Sequence, residues 1–225
     1  MATRTYPVES ESEAVDLFRS HGWTDGLPIV VPTRERVDAC LEWALMAPDQ
    51  VIGVEPVNAR ALTAEKLAVN AVMAGCEPMH FPIVATAVEA MCEPEFLLHG
   101  ATSSTGGCAV FVVVNGPLRR SLGMTGSFNA LGGADGASLV IGRAIRLILR
   151  NLLDVRPGEL DRSTLGHPGK ISFVVGEDEE GSTWTPLAQS ERRTQACSWM
   201  YDASVSLVQP AASNNWRNCG ATTTA

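Results

Sequence analysis

Strands alternating with helices predict an α/β fold, with a mixed or partly parallel sheet flanked by helices. Three observations carry this. The β-branched run Ile29-Val30-Val31 leads into a helical pattern opened by Pro32-Thr33, with Val37, Cys40, Leu41 and Ala44 on one face. A second unit runs from Val51-Ile52-Gly53-Val54, across a Pro and Asn loop, to Thr63 as N-cap of a helix carrying Leu67, Ala68, Ala71 and Val72 and ending at Gly75. The nearly unbroken apolar run from Cys108 to Val114 suits a strand buried on both faces.

The remaining elements follow in order. Ser10 to Ser20 is a short amphipathic helix, with Ser10 and Glu13 in capping-box spacing, Val15 and Phe18 on one face and Gly22 where a C-cap is wanted. Trp23 to Pro28 is turn chemistry. After the break at Cys76-Glu77-Pro78, Phe81-Pro82 starts a helix through about Met91. Phe96 to Ala101 reads as a short strand, Thr102 to Gly107 as a polar loop, and Asn115-Gly116-Pro117 ends the apolar run. Gly123 to Gly136 carries five glycines and runs into a long helix from Ala137 to Leu153. A strand from Ile171 to Val175 and an acidic turn at Glu177 to Glu180 complete one α/β domain over 1–188. The remainder, 189–225, has mixed periodicity and a Thr-rich end, and is expected to be a weakly structured, disordered or truncated tail.

The 225 residues are 45% hydrophobic, an ordinary globular share, and carry a net charge of −8. That balance argues against a nucleic-acid partner, since phosphate contacts need a basic surface. Mean hydropathy is +0.07, and the longest apolar runs fall short of the roughly 18 residues that span a bilayer, so no membrane partner is expected. No apolar signal core follows the basic residue near the N-terminus, so the cytoplasm is the expected location. Six cysteines without a CxxC pair read as reduced thiols, mostly core.

Three stretches have chemistry to offer. His99 to Cys108 encloses Thr102, Ser103, Ser104, Thr105, Gly106 and Gly107, small residues that leave backbone N–H groups open to a carboxylate or phosphate. His99 could exchange a proton there, and Cys108 either serves as a nucleophile or simply opens a buried strand. Gly132-Gly133-Ala134-Asp135-Gly136 before the long helix resembles an anion cradle or else a flexible connection, and it fits neither a P-loop nor GxGxxG. His167-Pro168-Gly169-Lys170 sits in a turn before a strand, so both polar side chains either point into a cleft or lie on the surface. Arg143, Arg146 and Arg150 share one side of the long helix and read as a solvated face. The four histidines show no HxH or HExxH, so no metal is expected, and GxSxG is absent.

The strings Gly22-Trp23-Thr24-Asp25-Gly26-Leu27-Pro28-Ile29-Val30, Ala68 to Cys76, Val113-Val114-Asn115-Gly116-Pro117 and Thr164 to Lys170 resemble a bacterial protein family associated with a partner of the thiol or selenol UGSC-motif type. The resemblance covers roughly 22–175. It implies site positions at Asp25, Asn70, Asn115, Asn129, His167 and Lys170, together with the Ser/Thr/Gly loop before Cys108. Cys108 departs from the family pattern, as does the end of the chain. With no UGSC or CxxC string here, a redox dithiol would come from the partner.

The expected function is therefore a cytoplasmic α/β enzyme or enzyme subunit that binds a small anionic organic substrate. The binding place would lie between the 102–107 loop, the 126–136 loop and the His167 turn. His99 or His167 would act as acid or base, and Lys170 with loop N–H groups would hold the anion. Reductive or eliminative chemistry with a thiol or selenol partner would make it an oxidoreductase or lyase component, of unknown cofactor. A self-sufficient enzyme is expected to be a closed homo-oligomer. The alternative is a noncatalytic subunit whose apolar helices pack against a partner enzyme.

Overall fold

The computed structural model describes residues 3–133, 135–187, 195–198 and 203–208. Helix α1 (Glu11–Ser20) starts where Ser10 Oγ accepts the Glu13 N–H at 3.2 Å, and α2 (Arg34–Trp43) starts on Thr33 Oγ1. Strands β1 (Val51–Glu55) and β2 (Arg60–Thr63) form an antiparallel hairpin, after which α3 (Ala64–Ala74) ends on Gly75 in the left-handed region at φ +96°. Helix α4 (Phe81–Met91) is buried along its whole length except Glu89. It is the centre of the molecule, with α2, α3, α7 (Gly136–Leu153) and β1 all packed on it. The short helices α5 (Leu98–Thr102) and α6 (Pro117–Ser121) flank β3 (Phe111–Asn115) in sequence.

The main sheet has four strands in the order β4 (Val174–Gly176), β3, β6 (Ala203–Val208), β5 (Gln195–Ser198). Strands β3 and β4 are parallel, joined by a crossover that contains α7, and the other pairs are antiparallel. The fold is thus mixed α/β with a partly parallel sheet. Val112, Val113 and Val114 are all buried, as their unbroken apolar run requires.

Four details differ from the sequence pattern. Ile29 to Val31 is not a strand: Pro28 and Pro32 bracket it, and Val30 makes one backbone bond, N–H to Met73 O at 3.3 Å. Val51 to Val54 belongs to the separate hairpin rather than the main sheet. Residues 96–101 are not a strand: Leu97 takes the left-handed conformation (φ +53°) and turns the chain from a 3-10 turn at Pro94–Phe96 into α5 at Leu98. Strands β5 and β6 fall inside the stretch expected to be weakly structured; the rest of 188–225 lies outside the described residues.

Candidate functional site

Two of the three stretches with chemistry to offer come together. Arg162 N–H donates to Ser104 O (3.2 Å), Thr164 N–H to Thr105 O (3.3 Å) and Ser163 Oγ to Gly106 O (2.7 Å). This lays the 102–107 loop along the segment leading to His167. A Cβ on Gly107 would stand 3.1 Å from Gly166 O, so the approach of the two backbones depends on glycine there.

A buried carboxylate organises the meeting point. Asp161, 5% exposed, takes the Lys170 ammonium on both oxygens at 2.8 and 2.9 Å and an Arg146 guanidinium N–H at 3.1 Å. Lys170 Nζ also donates to Ser163 Oγ at 2.5 Å, and the Ser163 N–H points to Asp161 Oδ1 at 3.3 Å. Burial alone would push the Asp161 carboxyl up, but Lys170 and Ser163 outweigh it and hold it down to about 2. Two cations thus share one anion, and the cluster keeps an excess positive charge with both side chains fixed.

Lys170 and Arg146 line a small cleft with Thr102, Cys108, Gly142 and Phe173. Its volume is about 20 Å³, room for one water-sized group. Thr102, the last residue of α5, donates its hydroxyl proton to Leu98 O at 2.7 Å within the helix. Cys108 is half-buried at the cleft wall. The other described thiols offer less: burial pushes Cys40 and Cys92 up to about 11 and Cys76 up as well.

His167 lies exposed at the edge of this arrangement, capping the turn at Pro168–Lys170 by accepting the Gly169 N–H on Nδ1 at 3.0 Å. With Nδ1 an acceptor, the neutral ring carries its proton on Nε2. His99 does not reach the cleft; its Nδ1 is 3.8 Å from the buried Glu55 carboxylate.

The glycine loop is placed elsewhere. At the N-terminus of α7 the chain supplies its own anion: Asp135 accepts the N–H of Ser138 (2.7 Å) and of Thr125 (2.9 Å), so the cradle is already filled. Asn129, Gly132 and Gly133 are exposed in a turn outside the cleft lining, and Gly126 packs against the backbone of Gly176 to Asp178. Ser103 and Ser104 are half-buried and Thr105 exposed; Ser104 Oγ accepts the Gly106 N–H at 3.2 Å within the loop.

Positions implied by the resemblance are mostly structural ties. Asp25 pairs with Arg143 through two bonds of 2.8 Å. Asn70, buried in α3, donates to Lys66 O and accepts from Asn151 Nδ2 of α7 (2.9 and 2.8 Å). Asn115, at the end of β3, donates to Glu177, and the neighbouring Gly116 N–H donates to Glu179 at 2.6 Å. The arginine stripe is not a solvated face: Arg143 and Arg146 are ion-paired and mostly buried, and Arg150 donates to Gly22 O at 3.3 Å. The sequence pattern does not single out Asp161, Ser163 or Arg146 for the candidate site, where the structure gathers them with Lys170. The signal available was an acid two residues before a serine, shortly ahead of His167-Pro168-Gly169-Lys170.

Among the described residues no three His, Cys, Asp or Glu side chains gather as a metal ion would need, and no helix is long and apolar enough to cross a membrane. Compared with protein-family models, curated proteins and solved structures, the chain matches none.

Proposed function

We propose that this chain is an enzyme, or a subunit of one, that holds a small anionic organic ligand at the Lys170–Arg146 cleft. The observation that carries this reading is the excess positive charge that Asp161 fixes beside the half-buried Cys108 thiol. Arg146 donates to the anion, the Lys170 ammonium, turned to Asp161 and Ser163, adds its charge beside it, and the exposed His167 is the nearby proton-exchanging side chain. Reductive or eliminative chemistry, with a dithiol or selenol supplied by a partner protein, follows the family resemblance; the thiol of Cys108 at the cleft wall supports it.

The test is a thermal-shift screen of the full chain against small carboxylates, phosphate, thiols, nucleotides and divalent metals, because a ligand of the native state raises the melting temperature. A shift with carboxylates that disappears in Lys170→Ala supports the reading. If Lys170→Ala and His167→Ala both leave every shift unchanged, the site assignment is wrong.

A noncatalytic subunit within a larger assembly is the second reading. It is favoured by Val51, Val54 and Val57, which stay 52%, 46% and 60% exposed along the β1–β2 hairpin. Light scattering separates the two: a closed homo-oligomer fits a self-contained enzyme, and open-ended association of the isolated chain fits the subunit.

A further inference from the structure

The cleft has space for one small group, about 20 Å³, so most of any organic ligand must lie outside it, on the rim. The rim is aromatic. Phe173, which lines the cleft, tilts against His167, with ring centroids 5.3 Å apart, and against Phe111, 4.4 Å apart. His167 is exposed and both phenylalanines are only half-buried, so the row is open to contact. Gly169 keeps it in place beside the charged groups: a Cβ there would stand 2.9 Å from both His167 Nδ1 and Phe173 Cγ.

Resting on the anion reading above, we infer that the ligand is an arylcarboxylic acid, with its carboxylate between Arg146 and Lys170 and its ring against the His167–Phe173–Phe111 row. A planar guanidinium and an ammonium suit a carboxylate head. Rings offset or tilted at these spacings favour a further aromatic face over an aliphatic one of equal size.

The experiment is calorimetric titration of the full wild-type chain with phenylacetate, cyclohexylacetate, acetate and inorganic phosphate. Phenylacetate is expected to bind at least about tenfold more tightly than acetate and about threefold more tightly than cyclohexylacetate. In Phe173→Leu the preference for phenylacetate over cyclohexylacetate disappears. Equal binding of phenylacetate and cyclohexylacetate by the wild type, or of phenylacetate and acetate, overturns the aromatic assignment and leaves the anion reading standing. Binding of phosphate alone overturns the carboxylate class. No binding of any of the four overturns the anion reading and this inference with it. The wild-type series decides the matter even if Phe173→Leu does not fold.

Discussion

Asp25 and Arg143, 118 residues apart, face each other through two hydrogen bonds of 2.8 Å and fasten the turn after α1 to the middle of α7. Both side chains are mostly buried, and Arg143 also reaches Ala74 O at the end of α3 at 3.4 Å. Burial raises the Asp25 carboxyl, yet the guanidinium outweighs it and leaves the group below its ordinary value. Arg143→Met removes the partner and leaves a desolvated carboxylate, so stability should fall by about 2 kcal/mol. Urea unfolding checks this, and binding at the Lys170 cleft should not change.

Acid should loosen the cluster around Asp161. Its carboxyl is held down to about 2 from an ordinary 3.8, so its contribution is complete above about pH 4 and is lost as the pH falls toward 2. The linked stability is about 2 kcal/mol. Comparing melting temperatures of wild type and Asp161→Asn between pH 6 and 2.5 should show the wild type's advantage shrinking over the lower part of that range. A constant difference would show that the pair does not set this dependence.

Thiol reactivity should sort by position. With Cys40 and Cys92 pushed up to about 11 and Cys76 raised too, these thiols stay protonated at pH 8 and should resist alkylation until the protein unfolds. Of these four, Cys108, half-buried at the wall of the cleft, should label first. Peptide mapping after brief treatment with iodoacetamide reads this, and a bound carboxylate should slow the labelling of Cys108.

Gly126 is a packing position. A Cβ there would meet Gly176 O at 2.5 Å and Asp178 N at 2.8 Å, backbone atoms that cannot turn aside. Gly126→Ala should therefore cost about 1–3 kcal/mol, seen as a lower denaturation midpoint in urea.

Helices α2, α3 and α7 were legible because each buries a periodic set of apolar residues, as Leu67, Ala68, Ala71 and Val72 of α3 do; α5 was not, its residues reading as a strand. The buried valines of strand β3 were legible for the complementary reason, since nothing in their run alternates. Ile29 to Val31 misled because β-branching describes a side chain's preference, while the flanking prolines decide whether the backbone can pair. The site was half legible. Lys170 and the 102–107 loop declared themselves through polar and glycine-rich composition. Arg146 did not, because an i, i+3, i+7 stripe looks the same whether it meets water or a carboxylate supplied from elsewhere, here Asp161 and Asp25. The glycines at 132 and 133 suggested an anion cradle, but Asp135, inside the same stretch, is itself the anion.

The place of β6 in the sheet bears on how the protein is made. Strand β3 pairs with β4 on one edge and with residues 203–208 on the other. During synthesis β3 and β4 can meet early, but the second edge of β3 stays bare until β6 has left the ribosome. A nascent or proteolysed chain ending near residue 188 would expose an apolar valine strand whose unpaired N–H and C=O groups invite another chain to join it. Completing the last strands thus serves as a safeguard against aggregation as well as a structural step.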